Sequence, residues 1–377
     1  MIYEEVDSST RRTLSETTRV LGTLKLDGPL VLGLALLAVY GQVVLYSASG
    51  QDWQSVMRGS IRIGLGAVAM LALAQVKPAF LRRLSPWLYA LGIILLVVVD
   101  AIGYIGKGAQ RWLDLGVVRF QPSEIMKLAV PMMCAWYLRE RALPPDGKTL
   151  AVLVAIIAVP AGLTILQPDL GTGMLIMMAG VLVVLLAGLQ WQIIAGMGVV
   201  GSLSAWGGWF LLHDYQRQRV LTFLDPQTDP LGAGYHIIQS TIAIGSGGVF
   251  GKGYLNGSQG QLEFLPERST DFIFAVIGEE LGFVGLTILL LLYLLVVARA
   301  IYLATQTQDT FARLLAGSLA LIFFVYVFIN AGMVSGILPV VGVPLPLISY
   351  GGTSMVTLLA GFGILMSLYS HRKFSGS

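Results

Sequence analysis

The stretch FIFAVIGEELGFVGLTILLLLYLLVVARAIYL, residues 272–303, decides the fold, because it is almost entirely apolar and longer than a bilayer-crossing helix needs. A transmembrane helix takes about 20 residues. Over the whole chain 55% of the residues are hydrophobic and 12% are charged, and further apolar runs occur throughout. The sequence therefore predicts an all-α polytopic membrane protein with about ten transmembrane helices, at residues 30–47, 61–76, 84–102, 125–138, 150–166, 173–189, 193–212, 272–303, 311–334 and 354–369.

The positions of Lys and Arg predict the orientation. These residues cluster before the first span and in every second turn, whereas the opposite turns 167–172 and 336–353 contain none. By the positive-inside rule both termini are cytoplasmic. We expect one integral membrane domain over residues 1–377, with a cytoplasmic segment at 1–28 and a large periplasmic loop at 213–271 between the seventh and eighth helices.

Cysteine, histidine and net charge limit the function classes. The single cysteine, Cys134, cannot form an intrachain disulfide or a cysteine-rich metal site. Three histidines do not suffice for a His-rich metal centre, and a net charge of +3 does not indicate a nucleic-acid partner.

The segment RWLDLGVVRFQPSEIMK, residues 111–127, leads into the fourth span. Its alternation of apolar residues, including Trp112, with Asp114 and Arg119 is typical of a segment in the membrane interface, with the arginines Arg111 and Arg119 towards the lipid head groups. Glu124 and Lys127 stand at i and i+3 and can face each other on the helix. They either form a mutually neutralising ion pair or belong to a site, because charge within a membrane is costly and usually functional.

The turn QPDLGTG, residues 167–173, places one carboxylate between two spans. Asp169 can cap the following helix, because a carboxylate near a helix N-terminus satisfies free amides. Binding of substrate or a cation is the alternative.

The long loop carries polar and cationic side chains on the side predicted to be outer. Its segment IGSGGVFGKG, residues 244–253, resembles a phosphate-binding loop in composition but lacks the spacing of a nucleotide P-loop. Cations placed against the orientation bias indicate an anionic ligand such as a lipid head group or pyrophosphate. The alternative is that long loops translocate regardless of charge. The loop residues that are candidates for binding this anionic ligand are Arg217, Arg219, Gln239, Ser240 and Lys252.

The loop ends in Glu267, Arg268, Ser269, Thr270 and Asp271, directly before the apolar residues of the eighth span. Partial desolvation by these apolar neighbours suits Asp271 to act as a general base.

Two acidic residues, Glu279 and Glu280, follow within the eighth span. If the helix is continuous, they lie about 12–14 Å deeper than Asp271 and do not share its face. We interpret both glutamates as structural or cavity-lining.

Residues 330–354, NAGMVSGILPVVGVPLPLISYGGTS, contain three prolines and repeated glycines that forbid a continuous helix. Non-helical backbone at membrane depth must be buried in protein or line a cavity. We expect this segment to form a wall of the site, with Ser349 and Tyr350 as candidate contacts.

The combination and order of these motifs resembles the SEDS family of polytopic glycosyltransferases, which includes RodA, FtsW and SpoVE. The motif GAGYHIIQS, residues 232–240, is more similar to the elongation branch, RodA, than to the division branch. The resemblance implies polymerisation of lipid II at the periplasmic face of the inner membrane, together with the elongation machinery and a class B penicillin-binding protein. It assigns the essential aspartate of the family to Asp271. Ser269 stands where many members have histidine, so this chain has no imidazole at that position.

The resemblance implies inverting glycosyl transfer with Asp271 as the catalytic base and a pyrophosphate leaving group. A divalent cation, Mg²⁺ or Mn²⁺, near Asp271 or Asp169 is a further possibility. A lipid II flippase and a noncatalytic scaffold of the wall synthase are the alternatives. The candidate substrate-binding residues are Arg111, Trp112, Arg119, Glu124, Lys127, Asp169, Arg217, Arg219, Gln239, Ser240, Lys252, Glu267, Thr270, Ser349 and Tyr350.

The partner is expected to pack its transmembrane helix against the eighth or ninth span. Small residues allow helices to approach closely in lipid, and the outer half of the eighth span offers Gly278, Gly282 and Gly285.

Overall fold

The computed structural model describes residues 24–106, 109–114, 119–189, 191–210, 217, 221–222, 225, 227, 233–261, 265 and 267–371. Within these ranges the chain is a helical bundle, and each of the ten predicted spans coincides with a helix. The helices of these spans are α1 Gly28–Ala48, α2 Trp53–Gln75, α3 Pro78–Ile102, α4 Pro122–Leu138, α5 Gly147–Leu166, α6 Leu170–Leu186, α7 Trp191–Gly208, α10 Ile273–Thr305, α11 Thr310–Val334 and α12 Thr353–Ser370.

Length and hydropathy support membrane insertion. Seven helices in the described part of the chain, α1, α2, α3, α5, α10, α11 and α12, are long and apolar enough to cross a bilayer. The other three, α4, α6 and α7, are 17 or 18 residues long. The prediction of an all-α polytopic membrane protein is confirmed.

Aspartates set the starts of several helices. Asp27, Asp52, Asp146, Asp169 and Asp309 each accept a hydrogen bond from a backbone N–H in the first turn of the helix that follows. These bonds satisfy amides that have no partner inside the helix. The predicted capping role of Asp169 is confirmed.

Helix α11 lies at the centre of the bundle, where it contacts α4, α6, α10 and α12. Two thirds of the most apolar window of α11 and of α12 is buried, against 22% for α2 and α3. Helices α2 and α3 therefore present most of their apolar surface to lipid, as expected of the periphery of a membrane bundle.

The segment before α4 forms strands that the sequence analysis did not predict. Strands β1 Tyr104–Gly106, β2 Ala109–Asp114 and β3 Arg119–Phe120 pair in antiparallel order, with Tyr104 opposite Trp112 and Leu113 opposite Phe120. The alternation that indicated an interfacial segment is the period-2 pattern of strand β2.

The long loop also contains helices. Helix α8 Ala233–Ser246 and the short helix α9 Ser258–Gln261 both contact α10. Ser240 of α8 donates a hydrogen bond to the carbonyl of Val334, 2.9 Å away, which ties α8 to the end of α11. At 14 residues, α8 is too short to span a bilayer. The sequence does not predict this helix, because its apolar residues are assigned to the loop.

The eighth span is not one continuous helix. Helix α10 breaks at Gly282, whose φ is 65° and ψ is −162°. The N–H groups of Phe283 and Val284 donate to Gly248 and Val249 instead of to the preceding turn. The carbonyls of Glu279 and Glu280 accept from Lys252 and Gly253 in return.

The break explains the glycines of residues 244–253. A Cβ on Gly251, whose φ is 79°, would lie 2.6 Å from the Leu281 nitrogen. A Cβ on Gly282 would lie 2.7 Å from the Val249 carbonyl oxygen. The glycines let this segment, called here the strap (residues 247–257), enter the helix break.

Glu279 and Glu280 fasten the strap, which gives them the structural role expected from the sequence. Glu279, fully buried, accepts hydrogen bonds from Lys252 Nζ at 2.7 Å and from the Gln259 amide at 2.9 Å. Glu280 accepts from the Leu255 amide of the strap at 3.3 Å and from Ser47 Oγ of α1 at 2.6 Å. Gly282 therefore contacts this chain's own strap, and it is not part of a face open to a partner.

Candidate active site

A pocket of about 330 Å³ opens at the end of the bundle where α4, α6, α10 and α12 begin. Strand β2 and residues 342–354, which comprise a non-helical segment at 342–352 and the first two residues of α12, complete its wall. Nine of the predicted site residues line it together: Arg111, Trp112, Glu124, Lys127, Asp169, Glu267, Thr270, Asp271 and Tyr350.

Asp271 lies in the turn that precedes α10, two residues before the helix begins. A methyl group built on Gly342 would lie 3.5 Å from Asp271 Oδ2, so the carboxylate faces the 342–354 wall. Glu267 and Thr270 line the pocket from the same turn, where Thr270 Oγ1 donates to Glu267 Oε2 at 2.9 Å.

A histidine absent from the sequence-based predictions stands behind this turn. His236 of α8 stacks on the Phe272 ring, with 5.6 Å between centroids and 17° between planes. Burial lowers the pKa of His236, and the nearby Glu267 carboxylate opposes that shift.

Glu124 and Lys127 form an ion pair with 2.7 Å between Nζ and Oε1, and both side chains are almost fully buried. The predicted i, i+3 contact is confirmed, and the pair lies in the pocket wall. Lys127 Nζ also lies 5.3 Å from the centroid of the Tyr326 ring. Glu124 Oε2 is buried and has no hydrogen-bond partner among the described residues.

Asp169 organises the neighbouring wall. Its Oδ1 accepts from the Thr172 amide, its Oδ2 accepts from Gln121 Nε2 at 2.8 Å, and Arg111 lies 3.8 Å away. Arg111 also donates to the carbonyls of Gln167 and Pro168. These contacts fix the Arg111 guanidinium at the pocket rim.

Other predicted contacts lie outside this pocket. Arg217 donates to the carbonyls of Trp209 and Phe210 at 2.9 Å, beyond the end of α7. Lys252 pairs with Glu279, and Ser240 is buried against α11. Gln239 and Ser349 are absent from the lining. Arg219 and the side chain of Arg119 lie outside the described residues.

Several lining residues carried no clear signal in the sequence, among them Gln121, Tyr326 and Thr353. Gln121 directly precedes Pro122 at the start of α4, and this position at a helix start could have indicated it. Tyr326 lies within an apolar helix, where its sequence context is that of a core residue.

The described lining residues hold more carboxylates than cations: Glu124, Asp169, Glu267 and Asp271 against Arg111 and Lys127. Among the residues that the structure describes, no three His, Cys, Asp or Glu side chains are grouped as a metal site. Both oxygens of Asp169 already accept hydrogen bonds. The side-chain oxygens of the described residues do not by themselves form a preformed cation site. A divalent cation near Asp271 or Asp169 stays a prediction.

Comparison with known proteins places this geometry in a family. The profile of the FtsW/RodA/SpoVE family, described as cell cycle proteins, matches residues 29–374. The chain is 55% identical over 349 residues to the peptidoglycan glycosyltransferase MrdB of Escherichia coli K12, covering 92% of this chain and 94% of the relative. It is 34% identical to stage V sporulation protein E of Bacillus subtilis 168, covering 92% and 97%.

Solved structures agree. One similar chain comes from the solved structure of a peptidoglycan synthase complex that coordinates polymerization and crosslinking. It has a TM-score of 0.81 and 35% identity, covering 93% of this chain and 99% of that one. The rod shape determining protein RodA of Thermus thermophilus has a TM-score of 0.69 and 30% identity, covering 92% and 97%. The chain therefore belongs to the FtsW/RodA/SpoVE family.

Proposed function

We propose that this multi-pass membrane protein is a peptidoglycan glycosyltransferase that polymerises lipid II into β-1,4-linked glycan strands for cell elongation and rod shape. The observation that carries the proposal is the meeting of Asp271 with the buried Glu124–Lys127 pair and Arg111 in one pocket. A volume of about 330 Å³ is within the usual range for small-molecule sites. Membership of the family and the activity of the MrdB relative support the reaction class.

Asp271 is proposed as the general base. It takes the proton from the 4-hydroxyl of the acceptor N-acetylglucosamine as that oxygen attacks C1 of the donor sugar. The C1–oxygen bond to undecaprenyl pyrophosphate breaks at the same time, so an α linkage becomes a β-1,4 linkage. General-base catalysis of this kind contributes roughly 10² to 10⁴-fold.

The departing pyrophosphate needs positive charge. Arg111 is the best-placed of the predicted cations, because it lines the pocket and its guanidinium is held at the rim. The assignments of Arg119 and Arg219 remain proposals.

A bound Mg²⁺ or Mn²⁺ would supply further charge compensation. Mg²⁺ commonly takes one or two carboxylates and completes its shell with substrate phosphates and water. Such a site would suit Asp271 together with the pyrophosphate oxygens. Comparison of polymerisation with and without a chelator, followed by addition of Mg²⁺ or Mn²⁺, tests this role.

The setting of the reaction is also proposed. The positive-inside pattern supports a protein of the bacterial inner membrane with cytoplasmic termini and a periplasmic pocket. The synthase complex in which a similar chain was solved supports a class B penicillin-binding protein as partner. An exposed apolar face of α10, with Phe283, Leu291 and Leu295 all more than half exposed, is available to a transmembrane helix of that partner.

The deciding experiment is polymerisation of labelled lipid II by the purified protein in detergent. Formation of glycan strands supports the proposal. A flippase or a noncatalytic scaffold makes no glycan, so absence of product from folded protein, alone and with the partner, would favour those alternatives.

A further inference from the structure

Three consecutive carbonyl groups before α10 each accept a hydrogen bond from α11 or from the segment 342–352. The Ser269 carbonyl accepts from the Tyr350 amide at 2.8 Å. The Thr270 carbonyl accepts from Ser349 Oγ at 2.5 Å, and the Asp271 carbonyl accepts from Asn330 Nδ2 at 2.9 Å. The backbone that carries Asp271 is therefore fastened to a second part of the chain at every residue from 269 to 271.

Asn330 is the most specific part of this arrangement. It is fully buried on α11, and its Nδ2 also donates to the carbonyl of Val343 at 2.8 Å. Both hydrogen-bond partners of Asn330 Nδ2 are carbonyl oxygens, which can only accept. The NH₂ group of the side-chain amide, and not its oxygen, therefore suits this position. One side chain thus joins the Asp271 turn, α11 and the 342–354 wall.

Ser349 has a similar position and is 1% exposed. Its hydroxyl accepts from the Leu345 amide at 2.8 Å while it donates to Thr270. The sequence predicts Ser349 as a substrate contact, but in the structure its hydroxyl bonds to two backbone groups.

We propose that Asn330 and Ser349 are positioning residues that hold the backbone of Asp271, and thereby its carboxylate, in place for proton transfer. The proposal rests on the function proposed above for this pocket. Neither residue lines the pocket, so both act through Asp271. A misplacement of about 1 Å at a reacting group can cost about 10²-fold in rate.

The test compares Asn330→Leu and Ser349→Ala with the wild-type protein. Leucine keeps the branching of asparagine at Cγ, with methyl groups in place of Oδ1 and Nδ2, and so removes both donated hydrogen bonds. We expect kcat for lipid II polymerisation to fall by about 10- to 100-fold in each variant while KM changes by less than about threefold, because the contacts to substrate remain.

Ser318→Ala is the matched control. Ser318 is also fully buried on α11 and donates to a backbone carbonyl, that of Ala179 at 2.8 Å. It contacts a different part of the bundle, so kcat should stay at the wild-type value. An equal fall of kcat in Ser318→Ala, or a wild-type kcat in Ser349→Ala, would overturn the positioning role.

Amide hydrogen exchange separates this proposal from the proposed function. Faster exchange at residues 267–273 in Asn330→Leu and Ser349→Ala, with no change there in Ser318→Ala, is the expected result. This measurement does not depend on catalysis, so it tests whether the two residues hold the Asp271 backbone even if the wild-type protein makes no glycan. Unchanged exchange at 267–273 in Ser349→Ala contradicts it, and that variant decides the question if Asn330→Leu does not fold.

Discussion

Replacement of Gly282 by alanine tests whether the helix break and the strap form one structural unit. Gly282 has a φ of 65° and a ψ of −162°, a conformation that is essentially limited to glycine. A Cβ there would also lie 2.7 Å from the Val249 carbonyl oxygen and 2.8 Å from the Phe250 carbonyl carbon. Both obstacles are backbone atoms of the strap, so the strap has to move.

The magnitude follows from two contributions. Holding alanine in this conformation costs about 1–3 kcal/mol. Moving the strap weakens at least two of the four backbone hydrogen bonds across the break, each worth about 1 kcal/mol. We therefore expect Gly282→Ala to lower the free energy of unfolding by roughly 3–5 kcal/mol.

The assay is unfolding of the purified protein in mixed detergent and sodium dodecyl sulfate, followed by tryptophan fluorescence. Gly64→Ala is the matched control, because Gly64 is an exposed glycine inside α2 with nothing within 4 Å of an added Cβ. That change should stabilise by up to about 1 kcal/mol through helix propensity. If Gly282→Ala matches Gly64→Ala in stability, the account of the break is wrong.

Three further predictions concern charge. Lys252→Met removes the cation that pairs with the fully buried Glu279 carboxylate and should destabilise by about 3 kcal/mol, whereas the exposed Glu140→Gln should stay within about 0.5 kcal/mol, both by the same unfolding assay. The Thr149 hydroxyl and then its amide lower the pKa of the Asp146 carboxyl. Because the folded-state pKa is depressed, this stabilisation is full above the unfolded pKa of about 3.9 and is lost as pH falls through the folded value. The melting temperatures of wild type and Asp146→Ala should therefore converge below about pH 4. Chelation followed by Mn²⁺ or Mg²⁺ should abolish and then restore polymerisation if the proposed cation takes part, and full activity in chelator would remove it from the mechanism.

The spans were predictable because membrane crossing depends on the length and hydropathy of a local segment. Helix α2 begins at Trp53, eight residues earlier than predicted, since Arg58 and the polar residues around it lower the local hydropathy without interrupting the helix. Local contacts were predictable for the same reason. The Glu124–Lys127 pair is three residues apart, and the Asp169 cap lies directly before its helix.

The break in α10 depends on tertiary contacts and could not be predicted from the sequence alone. In an apolar run, a glycine such as Gly282 is as typical of helix packing as of a helix break. Its conformation depends on contacts with the strap, which is distant in sequence. Lys252 and Glu279 are 27 residues apart, so their pairing carries no periodic signal. The same limit applies to Asn330, whose bonds reach residues 59 and 13 positions away.

The most direct test of the central claim is polymerisation of labelled lipid II by purified wild-type protein and by Asp271→Asn. Asparagine keeps the size of the side chain, so the variant should elute and unfold like the wild type. The account predicts glycan strands from the wild type and a loss of roughly 10² to 10⁴-fold in the variant, because the base is gone. Near wild-type glycan synthesis by folded Asp271→Asn would contradict the assignment of Asp271 as the base.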